Sequence, residues 1–178
     1  MGIANWTTIE NTLQAQFVAA CGLTGDRVRW GHQSRDSVQS AGDFALLEMF
    51  RFLTVGSPED SVIDNPTPGA GTEILIRSQA QTEFEVRFSI FTMTPTGSNS
   101  AGARAINVRH YLERDDVLEN LQAAGIALVN VEDVQRIPAV LETEFQDRAV
   151  FVARFRTLDG SSYATTYIES AEWFGTYN

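Results

Sequence analysis

The chain contains no lysine: all 13 of its basic residues are arginine. That absence removes lysine Schiff-base chemistry and the phosphate-gripping lysine of a Walker-type loop. Cysteine is nearly as scarce. A lone Cys21 excludes an internal disulfide. At the end of a helical stretch, where the helix dipole raises a thiol pKa, it suits a buried structural role. Only two histidines occur, His32 and His110, and they form no HxxxH pair, so the convergent ligands of a metal site are missing. The glycines make neither G-x-G-x-x-G nor a phosphate loop, and no G-x-S-x-G elbow is present. No catalytic residue, cofactor or metal is therefore expected. Apolar runs fall short of the roughly 20 residues needed to cross a bilayer. The first residues lack a basic start and an apolar core. The expectation is a soluble protein made in the cytoplasm, without a membrane partner.

What is present is acid and apolar surface. At 178 residues and 43% hydrophobic, the chain suffices for one well-buried core, so residues 1–178 are expected to form a single domain. The net charge of -10 lacks the basic footprint of a sequence-reading nucleic-acid binder. The carboxylate pairs Asp115/Asp116, Glu142/Glu144 and Glu59/Asp60 could in principle serve acid–base work, but that needs burial beside apolar groups. Asp115 and Asp116 read as helix capping, and the other pairs as solvated charges beside turns. Glu59, Asp60, Asp64 and Asn65 could together attract calcium, yet their spacing does not match an EF-hand.

Periodicity divides the chain. Trp6, Ile9, Leu13, Phe17 and Ala20 share one helical stripe, which predicts a helix over 6–21 with Asn5 as N-cap and Gly22 as stop. Val28 to Trp30 is a short strand, and 33–42 a polar loop. A longer strand over about 43–55 has both alternating sets apolar: Phe44, Leu46, Phe50 and Phe52 on one side, Ala45, Leu47, Met49, Leu53 and Val55 on the other. That pattern predicts burial on both faces. Residues 56–71 hold Ser57, Pro58, Glu59, Asp60, Asn65, Pro66 and Pro68, a breaker-rich flexible loop long enough to be a docking element. Strands over 73–77 and 81–93 follow, then a turn at 95–102 with Asn99 or Ser100 as helix cap. The next helix passes through Ala105, Val108, Tyr111 and Leu112, breaks near Arg114, and restarts with Asp116 and Glu119 at capping-box spacing. Beyond Gly125, strands are predicted over 126–131, 134–141, 145–158 and 163–174, with Asp159-Gly160 as a hairpin turn. The fold class is α+β: a mixed, mostly antiparallel sheet packed by two main helices, with a long Pro/Gly-rich loop.

Arginines and carboxylates alternate on strand faces. Glu83, Glu85 and Arg87 lie on one strand and Arg148, Arg154 and Arg156 on another. They can pair across strands within the chain, or meet another subunit. Both readings stay open.

Several landmarks resemble a known family. They are the run 83–91, the turn and helix over 97–112, Leu118 and Leu121 leading to Ala123-Ala-Gly-Ile126, and Phe145-Gln-Asp-Arg-Ala149 followed by a strand ending in Arg156. With Val28 to Gln33 ahead of a long apolar strand, this order resembles the neck and tail terminator proteins of tailed bacteriophages. The resemblance spans about residues 25–158. It implies a structural virion protein in the neck or tail that forms a ring with itself, as a hexamer, at the head-proximal end of the tail. There it would end growth of the tail tube, contact the tail tube protein, and join the tail to head-completion and connector proteins. Another connector or stopper role fits the same landmarks; a ligand-binding α+β module or an enzyme is the rival from a different class. In a ring, an acidic lumen would let duplex DNA pass nearby without sticking, because it repels phosphate.

Overall fold

A computed structural model describes residues 5–32, 42–64, 74–93, 96–137, 139–141 and 144–165. Helix α1 (Trp6–Cys21) starts where Asn5 Oδ1 accepts the Thr7 N–H at 2.9 Å, a cap worth about 1 kcal/mol. It stops at Gly22, whose φ of 68° is the left-handed conformation that glycine adopts without strain. Its stripe Ile9, Leu13, Phe17 and Cys21 is buried.

Strand β1 (Val28–Trp30) pairs in parallel with β2 (Phe44–Asp64), and β2 pairs antiparallel with β3 (Ile74–Thr92). Helices α2 (Ala101–Leu112) and α3 (Asp115–Ala123) come next, then β4 (Ile126–Val131), β5 (Gln135–Arg136), β6 (Ala139–Leu141) and β7 (Glu144–Thr165). The sheet order is β1-β2-β3-β7-β4, with β5 and β6 also paired to β7. The architecture is α+β with a mixed, mostly antiparallel sheet.

Register separates the two faces of this sheet. On one lie Leu47, Phe88 and Phe151 in one row and Phe84 beside Phe155 in another. Phe17 stacks on Phe88 at 4.9 Å and Phe88 on Phe151 at 4.8 Å, so α1 covers this face. Ala105, Val108 and Leu112 of α2 and Val117 and Leu121 of α3 complete the same core. The opposite face carries Glu83, Glu85 and Arg87 with their partners, and at one end a small buried cluster of Phe44, Leu46 and Phe91.

Several expectations need correction. Strand β2 is buried on both faces only at its start: Phe50, Phe52 and Leu53 are 44%, 56% and 51% exposed. Its alternation also breaks. The register jumps between Met49 and Arg51, so Phe50 is an extra residue and everything after it changes face. Phe52 therefore joins the helix side, edge-on to Trp6 at 5.3 Å, while Leu53 moves away from it.

The stretch expected as a loop from 56 continues as strand to Asp64. Val55 pairs Gln81 and Glu59 pairs Gln79, which leaves Gly56, Ser57 and Pro58 in a bulge. Gly56 takes φ of 79°, and a bulge is where a strand tolerates a proline that cannot donate. Asn65, Pro66 and Pro68 lie outside the described residues. Strand β3 is one continuous strand where two were expected, and the strand expected over 134–141 is the two short pieces β5 and β6.

Asp159-Gly160 is not a hairpin turn. Strand β7 runs straight through it, with Gly160 opposite Gln79, and a Cβ there would lie 2.3 Å from the Ser78 carbonyl oxygen. The glycine serves close backbone approach. Residues 166–174 of the strand expected beyond it lie outside the described residues. The capping box is not formed either: Arg114 is the N-cap of α3, without a side-chain cap, and it grips Asp116 through Nε at 2.9 Å and Nη2 at 2.8 Å.

Candidate assembly surface

The face of the sheet turned away from the helices gathers the charged residues singled out in the sequence. Opposite neighbours put Arg51, Glu85 and Arg154 in one row, Leu53, Glu83 and Arg156 in the next, and Glu48, Arg87 and Val152 in a third. Glu85 Oε1 accepts from Arg154 Nε at 3.2 Å and Nη2 at 2.9 Å, and from Arg51 Nη1 at 3.4 Å. Glu83 Oε1 accepts from both Nε and Nη2 of Arg156. Arg87 Nη1 meets Glu48 Oε2 at 3.4 Å and lies over the Phe50 ring at 4.8 Å. Arg148 donates to Ser89 Oγ at 3.4 Å and covers the Phe91 ring at 5.2 Å.

Cross-strand pairing within the chain thus engages Glu83, Glu85, Arg87, Arg154 and Arg156. It leaves the guanidinium groups outermost. The Glu83 and Glu85 side chains are 14% and 11% exposed, against 39% for Arg156, 40% for Arg154 and 60% for Arg51. Each such pair contributes about 0–1 kcal/mol, because its outer partner stays hydrated. Their larger effect is on surface character: among the described residues in the rows from Glu83 to Phe91, five arginines (51, 87, 148, 154, 156) and three glutamates (48, 83, 85) make this part of the face net positive on an acidic chain.

Sequence reading missed Arg51 and Glu48. Strict alternation from Leu47 puts Arg51 on the helix side, and only the extra residue at Phe50 turns it outward. It also missed Asp147, visible only as one of the landmarks. This carboxylate is 1% exposed. One oxygen accepts the Ala101 N–H at the start of α2 at 3.0 Å, and the other the Arg136 Nε at 2.6 Å. A negative charge at a helix N-terminus is favoured by the unpaired N–H groups there, so Asp147 fixes α2 onto β7.

Of the expected docking residues, Ser57, Pro58, Glu59 and Asp60 are exposed along β2, in a region where β2, β3 and β7 run on together. From Ile74 to Gln81 this three-stranded arm measures about 26 Å at 3.3 Å per residue. A hollow of about 380 Å³ opens on it, lined by Thr54, Pro58, Ser78, Thr82, Asp159 and Gly160. A second, about 550 Å³, opens where β1 leaves β2, beside His32, Glu48, Phe50 and Arg87.

Neither hollow assembles the groups of a reaction. Among the described residues no three His, Cys, Asp or Glu side chains come together as a metal site would require. His32 lies against Trp30 with ring centroids 6.3 Å apart, and His110 is exposed on α2. Cys21 is buried and free, its thiol pushed up by burial. Asp115 and Asp116 form the exposed first turn of α3. No helix among the described residues is long and apolar enough to cross a membrane.

Residues 7–178 match the family described as phage neck terminator protein. No curated protein matches the sequence. Among solved structures, the chain is similar to the sheath/tube terminator, in its extended state, of the extracellular contractile injection system PVC. Identity is 10% and the TM-score 0.48, over 100% of this chain and 65% of that one.

Proposed function

The chain belongs to the phage neck terminator family, and from that premise we propose that it forms a ring at the head-proximal end of a phage tail. There it ends growth of the tail tube and offers a surface to head-completion proteins. The observation that carries this reading is the extent of the family match, residues 7–178. The described geometry is compatible with it: a surface organised by paired charges and an extended arm, rather than a cleft with convergent catalytic groups. Its partners are other copies of itself, hexameric by the resemblance, the tail tube protein below and connector proteins above. On this reading it is a structural protein of phage tails, with its place in the virion neck; the family match supports this.

Glu83, Glu85, Arg87, Arg148, Arg154 and Arg156 are proposed as part of the surface between copies. Arginine is enriched in such contacts, and among the described residues no helix packs on this arginine-topped face. The exposed stretch Ser57 to Asp60 is proposed as a docking element. Duplex DNA passes the ring without sequence-specific contact, consistent with the acidic balance of the chain.

The test is to remove the chain from the producing phage and measure tail lengths by negative stain, with immunogold labelling of the restored chain. The expected result is tubes of irregular excess length, heads without tails, and label confined to the head–tail junction. Tails of native length joined to heads in its absence would overturn the reading.

A further inference from the structure

The arm formed by β2, β3 and β7 has opposite charge to the sheet face described above, and it presents the other side of the same sheet. Within Gly56–Asp64, Ile74–Gln81 and Leu158–Thr165 the sequence carries four acidic residues, Glu59, Asp60, Asp64 and Asp159, and one basic residue, Arg77; Glu59 and Arg77 lie on the side of the charged rows, Asp60 and Asp159 on the other. Register fixes their sides. Thr82 and Thr157 follow Phe84 and Phe155 on the helix side, and Asp159 beside Ala80 and Asp60 beside Ser78 continue that side outward. The hollow of about 380 Å³ that contains Asp159 lies there. Thr54, Asp60 and Val62 in this region are exposed, so the hollow stands open with Asp159 in its lining and Asp60 on the same side of the arm.

We propose that this hollow receives the arginine-topped sheet face of a second copy, so that each arm lies across the back of its neighbour. The charges are complementary: carboxylates in the arm meet guanidinium groups that project above their own glutamates, with Arg51 the most exposed of them at 60%. Apolar groups match as well, since Val62 at 67% exposure lies on the arm and Leu53 at 51% on the receiving face. The two surfaces are opposite faces of one sheet. Their contact is therefore heterologous, head to tail, and it can repeat around a ring until rotation closes it. This inference rests on the ring reading above and adds which surfaces make the ring.

The experiment supplies variants to a phage lacking the chain and counts, by labelling, the purified tails that carry it. One variant reverses the arm, Asp60→Arg with Asp159→Arg; the other reverses the receiving face, Arg51→Glu with Leu53→Glu. Each alone is expected to lower occupied tails by more than about tenfold, through like charges brought together. Supplied together, they are expected to restore occupancy to within about threefold of native, because each arm then meets a complementary face. Native occupancy by either variant alone, or no recovery on co-expression, would overturn the proposal. The native chain in the same experiment separates the two readings: if it is incorporated without controlling tail length, the terminator role fails whatever the variants do.

Discussion

The same three strands make two different materials. Near the helices, β3 presents Phe84, Val86, Phe88 and Ile90 to the core, each at most 1% exposed. Farther along, the same side of β3 reads Thr82, Ala80, Ser78 and Ile76, which carry no aromatic ring and are less deeply buried. Burying a large apolar side chain contributes about 1.5–3 kcal/mol, whereas a backbone hydrogen bond nets about 1 kcal/mol. The body is therefore held by packing and the arm chiefly by strand pairing, which places the arm at the low-stability end of the molecule. Hydrogen bonding alone continues a sheet; only a covering layer makes it a core.

That contrast can be attacked at graded strength. Phe88→Ala removes a ring stacked against Phe17 and Phe151, and should cost about 3–5 kcal/mol in denaturant-induced unfolding. Asp147→Ala leaves the Ala101 N–H without its acceptor and removes the buried carboxylate that Arg136 bonds. A loss of about 2–3 kcal/mol is expected, with early hydrogen exchange in the first turn of α2. Gly160→Val forces a Cβ against the Ser78 carbonyl and should cost about 2 kcal/mol, but locally. Amides of 74–79 would exchange faster while the global midpoint barely moves; an equal loss of protection in the Phe88 region would show that arm and body unfold together. Arg51→Ala should change stability by less than about 0.5 kcal/mol, since Glu85 keeps Arg154; a larger shift in the thermal midpoint would mean the charged rows hold the fold itself.

Legibility follows the same division. The stripe of α1, a cap at Asn99 or Ser100, of which Ser100 is the one formed, and the alternation of β3 are readable because each depends on neighbours in sequence. The arm is not. Gly56-Ser57-Pro58 and Asp159-Gly160 carry ordinary turn signals, and only the facing strand decides whether such residues turn the chain or allow close approach. One extra residue at Phe50 reverses the phase of everything after it, so the charged rows were half visible: Glu83, Glu85, Arg154 and Arg156 could be grouped by alternation, but Arg51 could not. Asp147 bonds a helix 46 residues away, a separation no local pattern encodes.

The central pairing of β3 with β7 has a temporal consequence. Glu83 and Arg156 are 73 residues apart, so at about 5–20 residues per second a ribosome takes roughly 4–15 s between making one and the other. Throughout that interval the nascent β2–β3 hairpin presents an open edge bearing Phe84 and Phe88. Nascent chains on neighbouring ribosomes of one message present the same edge to each other. Synthesis is thus the stage at which this protein is most exposed to aggregation, and slower translation between residues 92 and 144 would lower its soluble yield without altering a single native contact.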